Sequence, residues 1–161
     1  MSFRLSIITL SDKGSKGLRQ DLSGQLIREI MEKRGFEVIH YEIIPDERDA
    51  LKTLLLRLSD QSDLILTNGG TGLSPRDITP DVTLEVIDRE IPGIAEAMRL
   101  EGLKKTPRAM LSRAVAGVRG QCLIINLPGS PKAVEENLSV IVDVLPHAIE
   151  KIKGSEEECA R

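Results

Sequence analysis

Tryptophan is absent from this sequence, and only three side chains are aromatic, Phe3, Phe36 and Tyr41. A core must therefore be assembled from Ile, Leu, Val and Ala, which suits an α/β protein with a parallel sheet. The same scarcity removes the stacking platforms on which single-stranded nucleic acids are held. There is no excess of basic residues: 22 Lys and Arg face 25 Asp and Glu, for a net charge of −3, and the cations are scattered rather than gathered into one run. Such a chain carries no electrostatic footprint for nucleic acid, and none is expected as a partner. Long apolar runs are missing too. None reaches the roughly 18 residues of a membrane span, and the first residues show neither a long apolar segment nor a cleavage site, so the expectation is a cytoplasmic protein without a membrane partner. Of the two cysteines, Cys122 lies in an apolar run and Cys159 in the acidic tail, which reads as a core thiol and a stray thiol rather than a disulfide.

At 161 residues the chain is read as one domain over 1–154, long enough to bury roughly two-thirds of its unfolded surface, followed by a disordered acidic tail over 155–161. Its most informative stretch is Leu64–Asp81. A short apolar run marks a buried strand and breaks into Gly69, Gly70 and Gly72 where that strand must end. Glycine there permits positive φ and close approach of a ligand to the backbone. Ser74, Arg76, Asp77 and Asp81 follow, and Thr79-Pro80 predicts a helix with Thr as N-cap. Neither common phosphate signature fits: no lysine follows the glycines, and Pro75 stands where a dinucleotide fingerprint needs glycine. What remains is a nest of backbone amides able to hold an anion beside a carboxylate able to hold a cation, a pairing suited to metal-bound phosphate.

The rest of the chain surrounds that stretch. Leu5–Leu10 is a first strand, ending at Ser11-Asp12 and a mobile loop that holds Gly14 and Gly17. Asp21 caps a helix whose inner face is Leu22, Leu26, Ile27, Ile30 and Met31, and Lys33, Arg34 and Gly35 close it. Phe36–Ile44 is a second strand stopped by Pro45, after which Asp46 is placed as N-cap of a helix carrying Leu51, Leu54, Leu55 and Leu58, a role compatible with a catalytic one. With the third strand at 64–67, a β-α-β-α-β unit is complete. Ligands bind such sheets beyond the carboxyl ends of the strands, where Ser11, Asp46 and the glycine turn can converge. Beyond Pro92-Gly93 a helix reaches Leu103 and sets Glu96 and Arg99 at i, i+3, read as a surface ion pair. Residues 114–118 are expected to form a hairpin with a strand over 122–127, through Arg119-Gly120. That strand runs into Pro128-Gly129-Ser130-Pro131-Lys132, where Ser130 caps a helix whose amides, with Lys132, favour an anion. Pro146 must kink or restart the last helix. His40 and His147 fall on a strand and a helix away from the loops, so no His- or Cys-based mechanism is expected.

Five strings, Thr-Asn-Gly-Gly-Thr-Gly, Pro-Arg-Asp-Ile-Thr-Pro-Asp, Pro-Gly-Ile-Ala-Glu-Ala-Met-Arg, Leu-Ser-Arg and Leu-Pro-Gly-Ser-Pro-Lys-Ala-Val, occur in that order and at that spacing. Together they resemble the molybdenum-cofactor-biosynthesis family that includes bacterial molybdopterin adenylyltransferases and the G domain of gephyrin, over nearly the whole chain. The resemblance implies an α/β/α sandwich of three layers with a mostly parallel sheet. It also implies Mg²⁺-dependent transfer of AMP from ATP to molybdopterin, with release of pyrophosphate.

By the same resemblance Asp46 and Asp77 are the catalytic and metal-binding carboxylates. Gly69, Gly70, Thr71 and Gly72 form one phosphate loop, Pro128, Gly129, Ser130 and Lys132 a second, and Asp81, Glu96, Arg99, Ser112 and Arg113 the rim. Either Lys132 or Arg76 would balance the charge that develops. The segment after Leu-Pro-Gly-Ser-Pro-Lys is short, as in a sister subgroup of the family. A molybdopterin-binding or carrier protein and a nucleotide pyrophosphatase on the same fold remain as alternatives. The implied partners are molybdopterin, ATP and a molybdenum-insertion protein, and the implied assembly is a homotrimer or higher homo-oligomer.

Overall fold

The computed structural model describes residues 2–158, so Cys159 and the last residues of the expected tail lie outside the described residues. Six strands form one sheet: β1 (Arg4–Leu10), β2 (Glu37–Ile44), β3 (Leu64–Asn68), β4 (Arg89–Glu90), β5 (Ala116–Arg119) and β6 (Cys122–Leu127). They lie in the order β2-β1-β3-β6-β5-β4. The first four of that order are parallel, while β5 runs antiparallel to β6 and β4 to β5, so the predicted hairpin across Gly120 is present.

Strand residues alternate between two cores, as the period of two along a strand dictates. Leu5, Ile7, Leu64, Leu66, Leu123 and Ile125 point into one. Helices α2 (Leu22–Lys33), α5 (Pro92–Leu103), α6 (Pro131–Ile141) and α7 (Leu145–Ile152) cover that face. Ile8, Leu10, Ile65, Cys122 and Ile124 point into the other, beneath α3 (Arg48–Ser59) and α4 (Thr79–Val86). The three layers are thus filled from both sides of a sheet buried on both faces, which is why its central strands read as continuous apolar runs.

Local signals placed most helix ends. Asp21 accepts from the Gly24 amide and Ser130 from the Ala133 amide, as expected of N-caps. Pro146 is tolerated because a 3-10 turn at Val142–Val144 breaks the helical path and α7 begins afresh, with the proline in its first turn. Four local expectations are corrected. The residues after β1 form a helical turn, α1 (Asp12–Ser15), capped by Ser11, in place of a loop. Leu22 is 55% exposed rather than on the buried face of α2. Asp46 does not cap α3: the Glu47 amide bonds the Pro45 carbonyl at 2.8 Å, so the N-cap position falls on Glu47. Thr79 is the first helical residue of α4 rather than its cap, and its hydroxyl is drawn to the Gly69 carbonyl at 3.0 Å.

At the amino ends of the strands, Asp63 accepts from the Arg4 amide at 2.7 Å and pairs with the Arg4 guanidinium and with Lys153 just beyond α7. Past Gly154 there is no regular structure up to Glu158, and the Lys151 ammonium donates to the carbonyls of Ser155 and Glu157.

Candidate active site

β1, β2, β3 and β6 all end on the same side of the sheet. The turns that follow them line one cleft of about 770 Å³, at the switch point where the strand order reverses between β1 and β3. Of the residues picked out from the sequence, the structure gathers Ser11, Asp46, Gly69, Gly70, Asp77, Gly129 and Ser130 around it.

The glycine turn is built for close approach. Gly69 and Gly70 have φ of 92° and 68°, and a Cβ at 69 would run into the Leu10 carbonyl of β1, while one at 70 would come within 3.0 Å of the Asp46 carboxylate. The Gly69 amide is spent on the Leu127 carbonyl at 3.1 Å, so that member of the expected anion nest is already bonded. Thr71 is buried, and Gly72 stands against the Asp77 carboxylate. Asp77 also accepts from the Ser74 amide at 2.9 Å, a local turn that holds its side chain beside the glycines.

Asp46 is half-buried beside Gly70. Burial raises its pKa above the usual aspartate range, and the nearby charges of Asp12 and Asp77 add to the rise. Carboxylates held close enough to repel one another at a cleft wall gain from a bound cation. Among the described residues no group of three His, Cys, Asp or Glu side chains gathers into a self-contained metal site. The donor set nevertheless fits Mg²⁺, which keeps its waters and takes one or two carboxylates together with substrate phosphates.

Around these carboxylates lies a supporting set that the sequence did not reveal. Asp12 receives the Arg76 guanidinium at two points and the Asp46 amide at 3.0 Å. Those bonds, the Arg76 contact foremost, hold the Asp12 carboxyl below its ordinary range. Beneath the cleft the Asn68 amide donates to Thr9 at 2.8 Å, Thr9 to Asp21 at 2.6 Å, and the Tyr41 hydroxyl also to Asp21, so the cap of α2 doubles as an anchor for the cleft floor. Ser23 donates to the Gly129 carbonyl at 2.6 Å and fixes the second loop. Deeper, Asn126 bridges Thr67 and Thr83 at 3.0 Å each, tying β3 and β6 to α4.

The remaining expected residues lie off the lining. Arg76 sits in a shallow side pocket shared with Asp46 and Glu47. Asp81 is paired with Arg113, whose guanidinium also grips the carbonyls of Gly72 and Asp77, so the pair braces the glycine loop from behind. Arg99 makes no ion pair with Glu96. It donates to the carbonyls of Ser112 and Ala114, at 3.3 and 2.8 Å, while Glu96 is exposed. Ser74, Pro128 and Lys132 flank the two loops, with Lys132 exposed.

Residues 6–147 match the family model described as "Probable molybdopterin binding domain". A molybdopterin adenylyltransferase of Helicobacter pylori strain J99 is 41% identical over 158 residues, covering 96% of this chain and 90% of that protein. Its counterpart in Escherichia coli K12 is 37% identical, with 99% of this chain and 90% of that protein covered. The crystal structure of the molybdopterin biosynthesis enzyme MoaB from Thermus thermophilus is 55% identical and superposes with a TM-score of 0.89, over 95% of this chain and 98% of that one.

Proposed function

The chain belongs to the molybdopterin-binding family of molybdenum cofactor biosynthesis, and from that we propose that it is a molybdopterin adenylyltransferase, carrying AMP from ATP to molybdopterin. The observation that carries this reading is the convergence of Asp46 and Asp77 with both glycine loops on one cleft at the carboxyl ends of the strands. A pterin phosphate oxygen attacks the α-phosphorus of ATP, a new P–O bond forms as the α–β anhydride bond breaks, and the bonding pair leaves on pyrophosphate. Such a transfer needs little covalent help from a protein. It needs the two phosphates held in line and their charge offset.

In this chain the Gly69-Gly70 turn lets phosphates approach the backbone, and the loop at Gly129-Ser130 supplies a second wall. Asp46 and Asp77 would hold Mg²⁺, which supplies electrostatic stabilisation of the phosphate oxygens when bound. Asp12, Asp81 and Arg113 position those carboxylates and loops rather than touch substrate.

Incubation with ATP, Mg²⁺ and molybdopterin should release pyrophosphate in step with adenylyl-molybdopterin. Tight pterin binding with no pyrophosphate would replace this reading with a carrier, and hydrolysis of ADP-ribose would replace it with a pyrophosphatase.

We further infer a cytoplasmic homotrimer that hands its product to a molybdenum-insertion protein. Support for assembly comes from Leu100 at 65% and Met110 at 62% exposure, with Leu103 and Leu111 nearby on α5 and the 3-10 helix that follows it. Light scattering giving the mass of one chain, 17.7 kDa, would remove the trimer.

A further inference from the structure

Holding ATP and a phosphorylated pterin in one cleft brings several negative charges beside Asp46 and Asp77, so uncommitted cations are required. Most of the nearby cations are committed. Arg76 is held at two points by Asp12, and Arg113 by Asp81 and two carbonyls. Lys132 does not line the cleft.

Two cations remain. Among the described residues, Lys13 on α1 and Arg19 on the connection to α2 are the only Lys or Arg residues lining the cleft, and both are exposed. Among the described residues neither side chain makes a hydrogen bond or an ion pair, although the same lining holds Asp12, Asp21, Asp46 and Asp77. Asp12 is occupied by Arg76, and Asp21 by Thr9, Tyr41 and the Gly24 amide, so the two carboxylates nearest in sequence are satisfied without them.

We propose that Lys13 and Arg19 form a phosphate subsite on the α1 side of the cleft, taking a phosphate ester or anhydride dianion. The planar fork of Arg19 suits two oxygens of one phosphate, and the ammonium of Lys13 supplies a second, more mobile charge. The subsite deepens the adenylyltransferase reading and rests on it for the identity of the phosphate, which is either the terminal phosphates of ATP or the phosphate of the pterin.

Calorimetry with pyrophosphate, ATP, AMP and molybdopterin, in the presence of Mg²⁺, tests it on the full chain. The variants are Lys13→Gln, Arg19→Gln, the double variant, and Lys16→Gln, a neighbouring exposed cation outside the lining. Melting temperatures should not move, because neither Lys13 nor Arg19 has a partner to lose.

The double variant is expected to weaken pyrophosphate and ATP about tenfold or more while AMP is unchanged, which assigns the subsite to the nucleotide. Loss confined to molybdopterin assigns it to the pterin phosphate. All four affinities staying within about twofold of the native chain would overturn the subsite, as would an equal loss in Lys16→Gln, which would reduce it to a diffuse surface field. A native chain that binds ATP through these residues yet releases no pyrophosphate with molybdopterin would sink adenylyl transfer and leave the subsite standing.

Discussion

Arg76 and Asp12, 64 residues apart, form a two-point ion pair, Nε and Nη2 lying 2.9 and 2.7 Å from the two carboxylate oxygens. The same carboxylate accepts the Asp46 amide. One side chain of α1 thereby joins the turn bearing Asp46 to the turn bearing Asp77, and the relative placement of those two carboxylates depends on it. Asp12→Ala leaves the Asp46 amide without its acceptor and should lower the melting temperature, so its rate is read at a temperature where the variant stays folded. Adenylyl transfer should fall roughly tenfold to a hundredfold, the scale of a small misplacement of reacting groups. Arg76→Ala should cost a similar factor, and the double variant no more than either single one. Additive losses in that cycle would show that the two residues act separately.

Asp77→Asn keeps an acceptor for the Ser74 amide, so the turn survives while the charge is lost. Turnover should fall by about two orders of magnitude, with the fold and pterin affinity retained. Wild-type turnover across a Mg²⁺ titration would refute the metal role.

Asp46 burdens the fold that holds it. Its folded-state pKa is raised, first by burial and then by Asp12 and Asp77, above the unfolded value of about 3.9. The folded chain therefore holds the extra proton between those two pKa values. Stability falls as pH rises through that window, and the penalty is absent below it. Asp46→Asn should melt higher than the native chain near neutral pH, lose that advantage on acidification below about pH 4, and still lose about two orders of magnitude in rate. Because Asp46 caps nothing, Asp46→Ala should be equally well folded. A marked drop in its melting temperature would restore the cap.

Asp63 has the opposite sign. Burial pushes its pKa up, but the Arg4 amide, Lys153 and the Arg4 side chain outweigh that and leave it lowered. Its contribution is present above the unfolded pKa and is lost as pH falls through the folded one, so it weakens only below about pH 4. Asp63→Ala strands the Arg4 amide and should cost roughly 1–3 kcal/mol by denaturant titration at neutral pH, with pyrophosphate release unchanged at a temperature where the variant stays folded.

Cys122 is fully buried, and burial pushes its thiol up to about 12. A thiol reagent should leave it unmodified in the native chain and modify it on unfolding. Rapid labelling of Cys122 itself, told apart from Cys159 by peptide mapping, at neutral pH under native conditions would contradict the packing of β6.

What the sequence disclosed was local, and what it concealed joins distant residues. β6 is bounded by Cys122 and Leu127, as the apolar run foretold, because both faces of that strand are covered. Asp21 and Ser130 were recognisable as caps because their partners lie three residues on. Asp46 carried the same cue and misled, since a turn at Pro45 delays the helix by one residue and residue type alone cannot report that delay. Glu96 and Arg99 had the spacing of an ion pair, yet two backbone carbonyls from a later segment claim the guanidinium. Thr9 and Asn68, 59 residues apart, bear no mark of their bond until the sheet puts β1 beside β3.

The clamp of Arg4, Asp63 and Lys153 also decides what can be attached to this domain. It gathers the beginning of β1 and the end of α7 at the amino ends of the strands, while the cleft lies at their carboxyl ends. An added module, purification handle or surface tether joined at either described end would leave the substrate entrance unobstructed. The domain can thus be built into larger assemblies, natural or engineered, as a cartridge whose working face stays open.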